Sequence, residues 1–317
     1  MKIKRCLYCY QELENDTTDF HEKCSKKFFG TTIPPVLDYS NEQMHELAKE
    51  IVVRSIAVTG VQPKLSLTVE KTPGDPKNSR FTIVGLWGGY ILKPPIEEFP
   101  NMPENEDLTM HLSQIFGIAT ADHSLIRLKS GELAYLTKRF DRVKGEKLAF
   151  EDMCQLTGTL TEDKYHSSME NIGKHILKYS TRPGLDVIHF FEVVLFSFLT
   201  GNADMHLKNF AMLSTKQKEI VLSPAYDMLC TKMVMPEDKE EVALTIDGKK
   251  RKLKREHFDK LGTSLKIPVK SIENVYRKFS KRLKESLEFI DISFLPQAVK
   301  DHYKILLKEN AARIHLH

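Results

Sequence analysis

Gly201-Asn202-Ala203-Asp204-Met205-His206-Leu207-Lys208-Asn209-Phe210 is a polar stretch set directly behind a long apolar segment, residues 187–199. A second acid follows in Ser223-Pro224-Ala225-Tyr226-Asp227. An Asp, an Asn five residues on and a further Asp about twenty residues later are the groups that phosphoryl transfer calls for. One carboxylate orients an attacking hydroxyl and accepts its proton. An amide oxygen and a second carboxylate hold the Mg²⁺ that bridges the nucleotide phosphates. The same residues would also serve as plain caps on a turn behind a buried helix, a routine use of Asp and Asn.

Upstream, Gly89-Tyr90-Ile91-Leu92-Lys93-Pro94-Pro95 predicts a short apolar strand ending on a lysine. A lysine there is commonly just solvated. A kinase, however, needs one cation on its sheet for the α- and β-phosphates and an acid on the next helix to orient it. Glu104-Asn105-Glu106 opens a run with apolar residues at Leu108, Leu112, Ile115 and Phe116, a helical spacing. Glu106 falls in its first turn, where an acid also suits the helix dipole. Earlier, Ser55-Ile56-Ala57-Val58-Thr59-Gly60-Val61-Gln62-Pro63-Lys64-Leu65-Ser66-Leu67 predicts a turn before a strand, placed where a loop over the phosphates would lie. Tyr135-Leu136-Thr137-Lys138-Arg139-Phe140-Asp141-Arg142 predicts a strand running into a polar segment. That segment is either an ordinary strand end or a connection that offers backbone groups and a ring to adenine.

In chain order, Gly-Val-Gln-Pro-Lys, Ile-Leu-Lys-Pro, Glu-Asn-Glu, Lys-Arg-Phe-Asp-Arg, Glu151-Asp152-Met153-Cys154-Gln155, Asn-Ala-Asp-Met-His-Leu-Lys-Asn-Phe and Pro-Ala-Tyr-Asp resemble the HipA-like serine/threonine kinases, the toxins of bacterial toxin–antitoxin modules. The resemblance covers residues 55–230 motif by motif and the helical C-terminus less distinctly. It implies ATP and Mg²⁺ as cofactors and Asp204 as catalytic base. Asn209 and Asp227 would be Mg²⁺ ligands and Lys93 the phosphate-binding lysine. Thr59, Gly60, Val61, Gln62 and Lys64 would belong to the loop that covers the nucleotide. Lys138, Arg139 and Phe140 would hold adenine, and His206, Lys208, Asn209 and Tyr226 would line the phosphate side. The family often autophosphorylates a serine at the start of the loop. Here Ala57 stands at that position, which leaves Thr59 and then Ser55 as local hydroxyl candidates.

Three of the five cysteines cluster at the start of the chain, as Cys6-x2-Cys9 and, eleven residues on, His21-x2-Cys24. Two tight pairs across a short loop suit a tetrahedral Zn²⁺ with sulfur and nitrogen ligands. A redox pair at Cys6 and Cys9, or three incidental thiols, are the alternatives. Four protein ligands would leave no open coordination position, so the zinc would be structural. Cys154 and Cys230 read as reduced thiols of a cytosolic protein.

The bulk composition bounds the classes without choosing among them. A chain of 317 residues can bury the cores of two lobes. Hydrophobic content of 41% and charged content of 28% are those of an ordinary globular protein. The net charge of +4 is weak for a nucleic-acid-binding domain. Residues 187–199 are too short for a membrane span and include His189 and Glu192. The first residues, Met1-Lys2-Ile3-Lys4-Arg5-Cys6, carry no apolar signal core, so the expectation is a cytoplasmic protein without membrane partners, which the resemblance implies is bacterial.

Three parts are expected: a cysteine-bearing knuckle over 1–30, an N-lobe with the nucleotide loop over 31–140, and a helical C-lobe with the catalytic motifs over 141–317. Residues 72–80, rich in Pro, Gly, Asp, Asn and Ser, predict a turn or flexible loop between two strands. Pro183-Gly184 is expected just before the buried helix. Helices are also expected over 271–289 and 295–314. Asp247-Gly248 signals a hairpin turn, which makes the basic run after it a solvated arm leading into a helix. A phosphate backbone or an acidic partner is the other use for that run.

The expected fold is a two-lobed protein-kinase-like α+β fold with a sheet-rich N-lobe and a mostly helical C-lobe. The expected activity is transfer of the γ-phosphoryl group of ATP to a serine or threonine of a protein. The alternatives are a small-molecule kinase of the same architecture, or a catalytically silent co-repressor working with a DNA-binding antitoxin. The resemblance implies a translation-related target such as an aminoacyl-tRNA synthetase, and a helix-turn-helix antitoxin through which DNA is met only indirectly. Full-length relatives carry an additional N-terminal subdomain, so a small separate protein resembling it is a further expected partner, docked near residues 55–64.

Overall fold

The computed structural model describes residues 4–14, 18–54, 63–72, 75–84, 88–143 and 145–316. The chain divides into two compact units. The first holds residues 1–107, 121–140 and 292–294, and the second holds 108–120, 141–291 and 295–317.

In the first unit, helices α1 (Glu22–Phe29) and α2 (Asn41–Arg54) precede strands β1 (Leu65–Thr72), β2 (Asp75–Val84) and β3 (Tyr90–Lys93). Helix α3 (Met102–Ile115) begins here, and β4 (His123–Arg127) and β5 (Leu133–Lys138) complete an antiparallel sheet in the order β2-β1-β3-β5-β4. Register places Leu65 opposite Leu92 and Leu92 opposite Leu136. Because side chains alternate along a strand, these leucines share one face as a continuous apolar stripe. Phe28 and Phe29 of α1 and Leu7 pack into the same buried cluster, so the first thirty residues share the core of the sheet.

The polar run 75–80 is strand, with Glu70 opposite Arg80, Lys71 opposite Ser79 and Thr72 opposite Asp75. The loop expected over residues 72–80 is therefore largely ladder, with a register shift between Lys71 and Thr72 that absorbs the poor strand formers. Cross-strand pairing outweighs intrinsic preference at these positions.

The second unit carries a two-stranded ribbon, β6 (Arg142–Val143) with β7 (Glu146–Lys147), and a three-stranded sheet. That sheet starts with β8 (Phe150–Asp152), which leads into α4 (Met153–Thr157). Helices α5 (Met169–Tyr179) and α6 (Pro183–Leu199) follow, then β9 (Ala211–Ser214) and β10 (Ile220–Leu222) close the sheet. The apolar run 187–199 is the body of α6, buried from Phe190 through Leu199. Pro183 is its first residue rather than a preceding breaker, which suits proline's fixed φ and missing N–H. Helix α7 (Thr231–Val234) is short, and α8 (Arg255–Ser264), α9 (Val269–Asp291) and α10 (Gln297–Arg313) complete the chain. α5, α8, α9 and α10 all pack on α6.

Asp247 and Gly248 make the expected hairpin turn, with φ of 49° and 72° and reciprocal Ile246–Lys249 backbone bonds of 2.8 and 2.9 Å. The basic run after it is an arm that ends at α8, with Lys252 and Arg251 exposed and Leu253 buried as its anchor. No described helix is long and apolar enough to cross a membrane.

Candidate active site

The loop behind α6 is set by its first residue. Gly201 has φ +66°, and a Cβ built there would lie 2.7 Å from Leu306 Cδ2. Only glycine meets both demands without strain. Its carbonyl accepts the Thr231 hydroxyl at 3.0 Å, and that hydroxyl oxygen in turn accepts the N–H of Ala203 at 2.9 Å. Asn202, fully buried, accepts the backbone N–H of Asp204 through Oδ1 at 3.1 Å. The backbone beneath Asp204 is therefore held from two sides before the carboxylate is reached.

Asp204 presents Oδ1 to the hydroxyl of Tyr165, which donates to it at 2.6 Å. Burial, this bond and the charges of Asp204 and Asp227 together push the Tyr165 phenol above its ordinary pKa. His206, stacked edge-on to the Tyr165 ring at 5.0 Å, is buried and pulled down to about 4 because desolvation outweighs the attraction of Asp204 and Asp227. His206 is thus neutral at physiological pH. The two acids act on the same two rings, which brings Asp204, His206 and Asp227 into one neighbourhood within the second unit.

Leu207–Asn209 form a 3-10 turn, and Asn209 is 5% exposed with its Oδ1 buried and without a hydrogen-bond partner among the described residues. A buried amide oxygen left open is costly unless a ligand takes it. Asp227 has φ +59°, a left-handed conformation that non-glycine residues adopt at a cost and that clusters at functional sites. The Asn209 amide oxygen and the Asp227 carboxylate are oxygen donors, the chemistry that suits a hard cation such as Mg²⁺. Tyr226 donates its hydroxyl to Lys208 O at 2.7 Å and locks the strand of chain before Asp227 onto the loop.

Lys208 Nζ donates to Asp152 Oδ2 at 2.7 Å. Asp152 also caps α4: its Oδ1 accepts Gln155 N at 3.0 Å, and Gln155 Oε1 accepts Asp152 N at 2.9 Å. The Glu151–Gln155 motif is thus a capping box that anchors the lysine beside Asn209. Asp-x-x-Gln is a readable signal for the cap. Nothing in the sequence pointed to Lys208 as its second partner, or to Tyr165 as the partner of Asp204.

In the first unit, Lys93 ends β3 as expected, 3% exposed, and donates to Glu106 Oε1 at 2.5 Å. The lysine also lies 5.4 Å from the Tyr135 ring centre. At the end of β5, Lys138 N–H donates to Asp122 O at 2.7 Å and Arg139 N–H to Gly89 O at 2.8 Å, which ties the segment expected at adenine to its own sheet. Phe140 is half-buried and Lys64 directly precedes β1. Ser55, Thr59, Gly60, Val61 and Gln62 lie outside the described residues.

The ligand atoms of Cys6, Cys9, His21 and Cys24, also in the first unit, all lie within 4.8 Å of one another. All five cysteines are free thiols.

The family model of the HipA-like C-terminal domain matches residues 56–287. A putative kinase of Haemophilus influenzae is 30% identical over 209 residues, 62% of this chain and 58% of its own length. The putative kinase Y4dM of Sinorhizobium fredii is 29% identical over 285 residues, 86% of this chain and 67% of its own length. The serine/threonine-protein kinase toxin HipA of Shewanella oneidensis is 28% identical over 216 residues, 61% of this chain and 47% of its own length. The chain thus spans about half to two thirds of the length of these curated relatives. Among solved structures, HipA of the Shewanella oneidensis HipA, HipB and operator DNA complex superposes with a TM-score of 0.65 at 22% identity, over 84% of this chain and 71% of that one. The Helicobacter pylori proinflammatory kinase CtkA superposes with a TM-score of 0.53 at 17% identity, over 71% of this chain and 87% of that one. Both likenesses show the fold, a two-lobed kinase-like α+β architecture. With a family model spanning more than half of its length, the chain belongs to the HipA-like kinase family.

Proposed function

We propose that the chain transfers the γ-phosphoryl group of ATP to a serine or threonine hydroxyl of a protein. The observation that carries this reading is the loop Asp204–Asn209. It pairs a carboxylate that already accepts a hydroxyl proton donor with a buried amide oxygen left open. Asp204 positions the acceptor hydroxyl and takes its proton as the new O–P bond forms and the bond from the γ-phosphorus to the bridging oxygen of the departing ADP breaks. Asn209 and Asp227 would hold Mg²⁺, which would supply charge neutralisation on the nucleotide phosphates. Neutral His206 and the pinned Lys208 line that side of the site. Lys93, oriented by Glu106, is the cation for the α- and β-phosphates. Adenine is met at the segment Lys138, Arg139 and Phe140, and the segment containing Thr59, Gly60, Val61, Gln62 and Lys64 covers the nucleotide. Thr59, then Ser55, are its candidates for self-phosphorylation. A structural Zn²⁺ at Cys6, Cys9, His21 and Cys24 would be held by four protein ligands and contribute no reacting group to this chemistry.

The N-lobe of this reading is the first compact unit, which takes in the cysteine-bearing start of the chain, and the C-lobe is the second, which takes in residues 108–120 as well as most of the chain from 141. The biological role we propose is that of toxin in a toxin–antitoxin pair, with a helix-turn-helix antitoxin as partner. The name of the Shewanella relative and the HipB and operator DNA in its complex support this. The test is incubation with labelled ATP, Mg²⁺ and a bacterial lysate, followed by hydrolysis of the labelled protein. Label on phosphoserine or phosphothreonine is expected. Label confined to small molecules, or none, would overturn the proposal.

A further inference from the structure

The first thirty residues present more than four clustered ligands. His21 Nδ1 lies 3.5 Å from Cys9 Sγ and 3.7 Å from Cys24 Sγ. A tetrahedral zinc with ordinary Zn–S and Zn–N bonds requires sulfur–nitrogen edges of about 3.6 Å. The protein's own distances therefore already have the span of an occupied site. His21 Nε2 lies 2.9 Å from Glu12 O. A carbonyl can only accept, so Nε2 carries the proton and Nδ1 turns a lone pair to the cysteines, the usual outer support of a zinc-bound histidine. A disulfide between Cys6 and Cys9 would leave this oriented histidine without a purpose.

Local structure is built to hold that geometry. Cys6 and Cys9 sit on a turn closed by Cys6 N–H to Gln11 O and Tyr10 N–H to Cys6 O, both 2.9 Å. His21 is the N-cap residue of α1 and Cys24 lies in its first turn. The turn ends on Tyr10, whose φ of +62° is a strained conformation for an aromatic residue. That conformation sends the tyrosine into the interior, fully buried, with its hydroxyl donating to Asp107 Oδ2 at 2.6 Å. The other carboxylate oxygen of Asp107 receives His123 Nδ1 at 2.7 Å, from β4. Asp107 directly follows Glu106, the acid that orients Lys93.

We propose that Cys6, Cys9, His21 and Cys24 bind one Zn²⁺ and that this metal, through Tyr10 and Asp107, fixes the start of α3 and with it the Lys93–Glu106 pair. Metal in the cluster sets the turn, the turn sets Tyr10, and Tyr10 with His123 grips Asp107 from both of its oxygens. Without the metal, the left-handed Tyr10 and the cysteine turn that carries it are free to relax, and the grip on α3 is lost. Zinc is then a positioning element for the phosphate-binding lysine. Only this last consequence rests on the proposed role of Lys93.

The test measures zinc content and backbone amide exchange on the full chain. Protein purified without chelator should hold one zinc per chain, and Co²⁺ replacing it should give the intense visible absorption of a tetrahedral thiolate site. Removing the metal should speed exchange of the amides of residues 102–107 on the order of tenfold. Tyr10→Phe should keep one zinc yet show that faster exchange with the metal bound. Protein without zinc, or exchange at 102–107 indifferent to metal in the wild type, would overturn the proposal. ATP failing to bind a zinc-loaded chain whose α3 is protected would uphold the clamp and sink the nucleotide reading instead.

Discussion

The hydroxyl of Tyr165 donates to Oδ1 of Asp204 at 2.6 Å, the same contact that the proposed function gives to the hydroxyl of an acceptor protein. The tyrosine is 38% exposed and reaches the acid from the segment before α5, so an incoming acceptor can displace it. A hydrogen bond to a charged group contributes about 1.5–3 kcal/mol, less at a solvent-exposed site. Tyr165→Phe should therefore lower KM for the acceptor protein by up to about tenfold while leaving kcat nearly unchanged. Steady-state phosphorylation with a fixed acceptor measures it, and an unchanged KM with reduced kcat would make Tyr165 a partner in chemistry instead.

Asn209 offers a test that separates stability from binding. Its buried Oδ1 lacks a partner among the described residues, and such an atom costs about 1–3 kcal/mol of desolvation. Asn209→Leu should leave the melting temperature of the metal-free protein equal to or above that of the wild type. The same change should raise the Mg²⁺ concentration needed for ATP binding on the order of tenfold or more. A variant that is both destabilised and unchanged in its Mg²⁺ requirement would remove Asn209 from the metal site.

Lys93 and Glu106 form an ion pair with side chains 4% and 1% exposed. Removing one partner of such a pair leaves a buried charge and typically costs about 3–5 kcal/mol. Lys93→Met should thus unfold at markedly lower urea than the wild type and lose ATP affinity, and Lys93→Met with Glu106→Leu should recover much of the stability but none of the affinity. Recovery of ATP binding in the double variant would contradict the role given to Lys93.

His206 predicts an acid-sensitive stability in metal-free buffer. Its folded pKa, about 4, lies below the ordinary value of 6.5 because burial disfavours the cation. The unfolded chain therefore binds the proton first as pH falls. The stabilisation is fully present above pH 6.5 and is lost progressively down to about pH 4, a loss of up to about 3 kcal/mol. Urea unfolding of wild type and His206→Asn at pH 7 and pH 4.5 should show a smaller acid loss in the variant. Equal losses would mean that His206 is charged in the folded protein.

The strand ending on Lys93 and the helix after it were legible because each follows one clear rule, a short apolar run before a charge and a helical repeat of apolar residues. The polar run 75–80 was not, since its Pro, Asn and Ser favour turns locally while the ladder to β1 decides the outcome. In the site, Asp204, Asn209 and Asp227 stand out as residue types at telling spacings. Tyr165 does not, because a tyrosine 39 residues from its partner leaves no pattern. Likewise the spacing of Cys6, Cys9, His21 and Cys24 announces a cluster, whereas the Tyr10–Asp107 bond spans 97 residues and exists only once the sheet has folded.

The proposed chemistry stands on Asp204 as the base, and Asp204→Asn tests it most directly. The change keeps the shape of the side chain and its bond from Tyr165 and removes only charge and proton acceptance. ATP affinity in the presence of Mg²⁺ should match the wild type, while phosphorylation of the acceptor protein should fall on the order of hundredfold or more. Transfer within a few-fold of the wild-type rate at equal ATP affinity would contradict the assignment.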